Sequence, residues 1–322
     1  MNRFGRYARI LICAGLIYVV VYHIDTDQLK NIYLNIQPSY VFVILLLIAV
    51  QMVVKAYKWN ILMKAKGFNI PTRKIFQLDY VSSFLSLFFP STISVDIFRG
   101  YGLSRDRSTK EVALPSIITD RWVSLAALLF AASIGALLFH DLINNNYLVC
   151  IVFSLLLLFV LVTLVVCNRR WDNILTRHRS MKKGGRVLDK LNSLRQSVFD
   201  YRKHRSILLT VFLLSLLIQL CRILIYFSAS LAFNKYLPIE YYFAFVPVML
   251  IVIMLPISLA GVGVREGAFV YFFSKVGMTT VTAFAISSLV SILVLAALIP
   301  GGVLYAVKGL ALRNKCESSL NE

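Results

Sequence analysis

Hydrophobic positions in this chain gather into long runs, where a soluble fold would show alternation or narrow stripes. The runs span Ala8–Tyr22, Ser39–Val54, Leu114–Phe139, Tyr147–Cys167, Ile207–Phe233, Tyr241–Leu259 and Thr279–Val307. Each is uncharged or nearly so and long enough to predict a membrane-spanning helix. Two further apolar segments are undersized. Phe76–Phe89 carries Asp79 and stops at Pro90; at 1.5 Å per residue it reaches roughly 21 Å, against a hydrocarbon core of about 30 Å. Ala268–Ser274 is shorter still and ends at Lys275. Both read as half-helices. The predicted class is therefore an all-α polytopic membrane protein with about seven spanning helices plus two re-entrant half-helix hairpins.

Composition agrees with that pattern. Of 322 residues, 59% are hydrophobic and 15% charged, and mean hydropathy is +0.76. A soluble fold cannot hide so much apolar surface, so soluble enzymes, secreted disulfide scaffolds and disordered regulators are excluded. Cys13, Cys150, Cys167, Cys221 and Cys316 form no CxxC pair, which suggests neither zinc nor a disulfide framework. No metal or cofactor is expected. The net charge of +19 would suggest nucleic acid in a soluble chain, but here the basic residues alternate with apolar runs. The basic runs suit an anionic membrane surface as partner, and no nucleic acid is expected.

Basic residues also set the orientation. If Phe76–Phe89 enters from the cytoplasm and returns through Ser91–Tyr101, most Lys and Arg lie inside, including the twelve of residues 168–206. A true crossing would put that loop outside, against the positive-inside rule. Both termini are then cytoplasmic, in the cell (plasma or inner) membrane. The first run follows Arg3, Arg6 and Arg9 and lacks a small-residue cleavage site, so it reads as an uncleaved anchor. Residues 1–310 form one integral-membrane domain and 311–322 a flexible polar tail. Within 168–206, Val187, Leu188, Leu191, Leu194, Val198 and Phe199 recur at helical spacing among basic residues. That suits an amphipathic helix on an anionic leaflet, or equally a solvated connector.

For residues 241–276, one hairpin and two crossings satisfy the charge rule equally. An internal repeat favours the hairpin. Pro90 precedes Arg99 by nine residues, as Pro256 precedes Arg265, and the flanks Phe89–Ser94 and Leu255–Ala260 are similar. Hairpins dipping from opposite sides would be inverted repeats, an architecture that forms binding sites near the midplane.

Asp79, Asp96, Arg99, Asp120, Arg121, Arg222, Arg265 and Glu266 fall within or at the ends of apolar segments. Eight unpaired charges would cost on the order of 20–28 kcal/mol even on the mild insertion scale, so mutual pairing or a wet cavity must relieve them. Asp79 and Arg222 read as structural or end charges. Asp96 with Arg99, Asp120 with Arg121, and Arg265 with Glu266 read as a site, because a guanidinium stays charged and matches phosphate oxygens in a bidentate way. In Pro256–Gly267, Pro256 ends one half-helix, and Ser258, Gly261 and Gly263 make a turn whose backbone can approach a ligand. A new half-helix then begins near Arg265, its free N–H groups and positive dipole end suited to an anion. Pro90, Pro256 and Gly267 shape the hairpins.

These motifs together resemble the integral-membrane, flippase-like domain family of lysylphosphatidylglycerol synthases, over nearly all of residues 8–310. Lys58-Trp59 stands where the family has Arg-Trp. Pro90 through Asp96 and Arg99 is similar to its first hairpin, with Ser94-Val95 replacing glycines, and Asp120-Arg121 replaces Glu-Arg. Pro256–Gly267 is close to the signature Pro-x-Ser…Gly-x-Gly-x-Arg-Glu-Gly, and Pro300-Gly301-Gly302 fits the final helix. The resemblance implies translocation of a phospholipid, in the best-known case an aminoacylated one. It does not carry aminoacyl transfer, which belongs to a soluble domain far larger than the loop 168–206.

The expected function is a lipid flippase or transporter holding an anionic or head-group-modified phospholipid at an arginine-lined intramembrane site. No catalytic residue is assigned. Without a Walker A motif, transport would run down a gradient or couple to protons through Asp96, Asp120 or Glu266. Two alternatives stand beside it. One is an intramembrane transferase acting on a lipid-linked sugar or aminoacyl donor, with Asp96 or Glu266 as base. The other is a non-catalytic partner of a separate lipid-modifying enzyme, or a homo-oligomer in that role.

Overall fold

In the computed structural model, residues 26–68, 70–87, 94–103, 107–139, 146–166, 204–254 and 263–318 are described. The expected first span, the loop 168–203 and both hairpin tips lie outside them. The described residues form helices and no strand: α1 Thr26–Leu34, α2 Pro38–Ala65, α3 Thr72–Ser86, α4 Ser94–Leu103, α5 Arg107–Leu138, α6 Asn146–Val166, α7 Arg205–Ala232, α8 Ile239–Ile253, α9 Val264–Ser274 and α10 Thr280–Ser318.

Among the described residues, four stretches are long and apolar enough to cross a bilayer: Pro38–Ala65, Ala113–Leu138, Arg205–Ala232 and Thr280–Val307. Of the seven predicted spans, Tyr147–Cys167 becomes α6, which carries a shorter apolar stretch over Val149–Leu164, and Tyr241–Leu259 becomes the 15-residue α8. Their outward faces are apolar too. Phe42, Leu46 and Val53 on α2 and Leu157, Leu161 and Leu164 on α6 are exposed, as suits helices bathed in hydrocarbon. Two boundaries moved. The second run was expected to end at Val54, yet α2 continues to Ala65, because Ala56, Trp59, Leu62 and Met63 bury a face against neighbouring helices. Helical backbone in α10 reaches Ser318, into the segment expected to be a tail.

The helices recur at a fixed interval. Arg205 and Ala232, the ends of α7, lie 167 residues beyond Pro38 and Ala65, the ends of α2. The same interval separates α3 from α8, both 15 residues long. Each long helix of the pair closes with a left-handed residue, Gly67 at φ 82° and Asn234 at φ 56°. In both cases paired N–H groups turn back to satisfy the last carbonyls: Gly67 to Lys64 and Phe68 to Met63, Asn234 to Leu231 and Lys235 to Ser230. This is a Schellman closure. Pro71 and Pro238 then start the next helix, with matching φ/ψ of −54°/132° and −50°/136°. Proline suits that position because it fixes φ and has no N–H to leave unpaired.

Helices α2 and α7 pack antiparallel. The Gln37 N–H donates to the Ala232 carbonyl at 2.9 Å, while Lys58 Nζ reaches Ser215 Oγ at 3.2 Å. The midpoint of the pair therefore falls near Met52 and Val53 on α2 and near Gln219 and Leu220 on α7. Helices α3 and α4 form an antiparallel hairpin, since Arg99 meets Asp79 and Gly102 meets Leu78. Helices α8 and α9 form another, through stacked Phe245–Phe272 and tilted Tyr242–Phe273. The first hairpin is rooted at the C-terminal end of α2, where Asn60 Nδ2 donates to Thr72 Oγ1 at 2.7 Å. The second is rooted at the C-terminal end of α7, beside the start of α2. The two hairpins thus enter the bundle from opposite ends.

Each hairpin is clasped by a long helix from the other half. Gly135 of α5 abuts the Phe243 carbonyl of α8, and Gly301 of α10 abuts the Tyr80 carbonyl of α3, where an added Cβ would lie 2.9 Å from the oxygen. Tyr80 Oη also donates to the Ala297 carbonyl at 2.5 Å. Only glycine permits such close backbone approach.

Candidate functional site

The first hairpin brings its charges against α2 and α5. Arg99 is 1% exposed and meets three carboxylates. Its Nε donates to Asp79 Oδ1 at 2.6 Å, Nη2 also pairs with Asp79, and Nη1 lies 3.3 Å from Asp120 and 3.5 Å from Asp96. The Trp59 ring stacks beneath the guanidinium at 4.8 Å. Each carboxylate touches a second cation as well: Lys55 to Asp79 at 3.5 Å, Lys58 to Asp120 at 3.0 Å, Arg121 to Asp96 at 3.3 Å. Four cations and three anions from α2, α3, α4 and α5 form one network, and the apolar surroundings strengthen each pair.

Serines complete the coordination of the buried Lys58 ammonium. Ser124 commits its proton to the Asp120 carbonyl at 2.6 Å and Ser215 to the Val211 carbonyl at 2.7 Å. Their lone pairs are then free to accept from Lys58 Nζ, at 2.6 and 3.2 Å. A hydroxyl whose proton is already committed behaves as a pure acceptor.

The second hairpin carries a smaller cluster. Gly263 adopts φ 83°, which favours glycine, and its N–H donates to Glu266 Oε2 at 2.6 Å. The other Glu266 oxygen accepts from Ser291 Oγ at 2.5 Å, and Ser291 in turn accepts from Arg265 Nη1 at 3.2 Å. Glu266 therefore caps the start of α9 and reaches Arg265 through a hydroxyl. The Gly267 N–H closes the first turn onto the Gly263 carbonyl at 2.9 Å. Arg222 of α7 contacts Gln219 Oε1 at 3.4 Å and lies within electrostatic reach of both Arg265 and Arg121.

Asp96, Arg99, Asp120 and Arg121 are thus brought together, and Arg265, Glu266 and Gly263 form a second group. Pro90, Pro256, Ser258 and Gly261 lie outside the described residues. Sequence reasoning ended the second apolar run at Val54 and so gave Lys55 and Lys58 no part in the site. It also set aside Asp79, which proves to be the most intimate partner of Arg99. A signal was present: Lys55, Lys58 and Trp59 sit three and four residues apart on one face of a continuing helix.

Two comparisons with known proteins bear on the chain. A stretch of 152 residues is 23% identical to UPF0104 membrane protein MJ1595 of Methanocaldococcus jannaschii, covering 47% of this chain and 45% of that protein, so less than half of the relative's length is matched. The sequence pattern described as "Lysylphosphatidylglycerol synthase TM region" matches residues 7–302. With that match covering nearly the whole helical bundle and its charged hairpins, the chain belongs to the lysylphosphatidylglycerol synthase transmembrane-region family.

Proposed function

We propose that this membrane protein moves an anionic or head-group-modified phospholipid between leaflets, its headgroup held between the two hairpins while its tails stay in lipid. The observation that carries the reading is the placement of the charges. Hairpins entering from opposite ends each bring an arginine, Arg99 or Arg265, toward the antiparallel α2–α7 pair, in a bundle whose outer faces are apolar. Charge at that depth is costly unless it has work to do. The 167-residue interval, with an odd number of crossings (α2, α5 and α6) before α7, supports an inverted repeat with both hairpins re-entrant. On this reading Arg99 with Asp79 is scaffold. Arg121, Arg265 and the turn containing Ser258, Gly261 and Gly263 face the headgroup, while Asp96, Asp120 and Glu266 position the arginines or carry protons. Cytoplasmic termini in the cell membrane follow from the basic loops.

The test is reconstitution into liposomes with leaflet-selective lipid labelling. Wild-type protein is expected to accelerate transbilayer movement of phosphatidylglycerol or its aminoacylated form, and Arg265→Ala to lose most of that rate. Failure to move any tested lipid, with Arg265→Ala indistinguishable from wild type, defeats the reading. Recovery of a covalently altered lipid would favour the transferase instead.

A further inference from the structure

Two of the four cations in the first network have counterparts in the other half of the repeat, Lys58 and Arg121 falling instead opposite Ile225 and Ser288, and its acids have none. At the 167-residue interval, Arg222 stands for Lys55, and Tyr226 for Trp59. Arg265 stands for Arg99 through the shared Pro–Arg spacing. The placement repeats as well: Tyr226 stacks on Phe269 at 5.2 Å, which sets the turn of α7 that bears Arg222 against the turn of α9 that bears Arg265, as Trp59 lies beneath Arg99, and each pair of cations is within electrostatic reach. The acids do not follow. Asp79 corresponds to Val246, and Asp120 to Ser287, whose fully buried hydroxyl has no hydrogen-bond partner among the described residues. Glu266 is committed to the Gly263 N–H and Ser291.

The second half therefore holds two guanidiniums without the carboxylates that neutralise the first. Among the described residues no carboxylate pairs directly with Arg222 or Arg265; their partners are an amide oxygen at 3.4 Å and a hydroxyl at 3.2 Å. Arg121, extending from the first half, adds a third guanidinium within electrostatic reach of Arg222. All three are partly exposed, whereas Arg99 is sealed. Arg121 is already paired with Asp96, but Arg222 and Arg265 are like charges in a low-dielectric bundle and repel, an arrangement that is stable in company with an anion.

We propose that Arg222 and Arg265, with Arg121 at the edge, form a phosphate site in which the ligand supplies the negative charge that Asp79 and Asp120 supply in the other half. The ligand is a phosphate group, carried on a lipid headgroup or free in solution. Arg222 is the new element. The site rests on the placement of these arginines, and only the lipid source of the phosphate rests on the transport reading.

Purified protein in uncharged detergent is titrated with short-chain dihexanoyl phosphatidylglycerol and, separately, with inorganic phosphate. Arg222→Gln is expected to weaken phosphatidylglycerol binding about ten- to hundredfold, the loss of a charge-assisted contact, while the ligand-free variant melts at or above wild type because it removes repulsion. Val246→Asp, which restores the missing acid, is expected to abolish binding with both arginines in place, and to melt higher than Val246→Asp combined with Arg222→Gln. Binding of inorganic phosphate with the same dependence on Arg222, uncompeted by phosphatidylglycerol, would assign the site to a soluble anion. Unchanged binding of both probes by Arg222→Gln overturns the site, even if lipid movement in liposomes persists. Arg222-dependent binding without any lipid movement upholds the site and sinks transport instead.

Discussion

Replacing Arg99 by Met keeps a side chain of similar length and deletes the hub of the charged network. Three carboxylates lose a partner at once: Asp79, which binds it through two nitrogens, then Asp120 and Asp96 at 3.3 and 3.5 Å. Lys55, Lys58 and Arg121 remain to hold one acid each, so the charges are not stranded outright. Removing one member of a buried ion pair costs about 3–5 kcal/mol, and losing the stack on Trp59 adds roughly 0.5–2 kcal/mol. At about 2 °C per kcal/mol for a chain of this size, Arg99→Met should melt on the order of 7–14 °C below wild type in detergent. Arg265→Met forfeits one contact to a serine hydroxyl and should shift melting by only about 2 °C. The pair is also coupled: Asp79→Asn should cost less in the Arg99→Met background than alone. Equal and small shifts for Arg99→Met and Arg265→Met would refute the network as a structural hub.

Three further outcomes follow from the packing. Gly301→Val drives a branched side chain into the Tyr80 carbonyl and should cost about 1–3 kcal/mol or more, read as loss of a monodisperse peak in size-exclusion chromatography. Trp59→Phe removes the indole N–H bond to Ser116 Oγ at 3.2 Å and weakens the stack under Arg99; about 1–2 kcal/mol of stability should go, measured by thermal melting. In a background with the five native cysteines replaced, Lys74→Cys and Tyr236→Cys should be labelled by impermeant maleimide from opposite faces of the membrane; labelling from one face would contradict the opposed hairpins.

Much of the helical framework was legible in the sequence, because an apolar run of membrane length can hardly be anything else. The undersized segments were legible too, through Asp79, Pro90 and the stop at Lys275. The repeat was glimpsed at Pro90–Arg99 and Pro256–Arg265, yet its better markers are conformational: a left-handed closing residue, Gly67 or Asn234, followed by Pro71 or Pro238. Hydropathy does not register such signals. The pairing of charges was beyond reach for a different reason. Helical position places Arg99 and Asp96 on one helix, but the choice of Asp79 as closest partner depends on how α3 crosses α4. Lys58 escaped because hydropathy counts it as polar, while three-dimensional packing gives its ammonium two serines and an aspartate and leaves it 2% exposed.

The two hairpins are held by different forces, and this sets which can move. The first is tied to α2 and α5 by ion pairs whose loss in a dry interior is costly, so displacing it breaks several bonds together. The second meets α7 through rings, Phe269 stacking on Tyr226 at 5.2 Å and Tyr242 meeting Phe227 edge-on at 5.4 Å, and Phe245 on Phe272 at 5.5 Å joins its two helices. Ring contacts are short-ranged and tolerate sliding, because one offset arrangement differs little from the next. A headgroup lodged between Arg121 and Arg265 would therefore press against a stiff wall on one side and a yielding one on the other, and alternation of access would fall to α8 and α9. Hydrogen exchange in detergent should show faster amide exchange in α8 and α9 than in α3 and α4, with short-chain phosphatidylglycerol slowing the former at least several-fold. Equal protection of both hairpins, or slowing confined to α3 and α4, would reverse the assignment of the moving part.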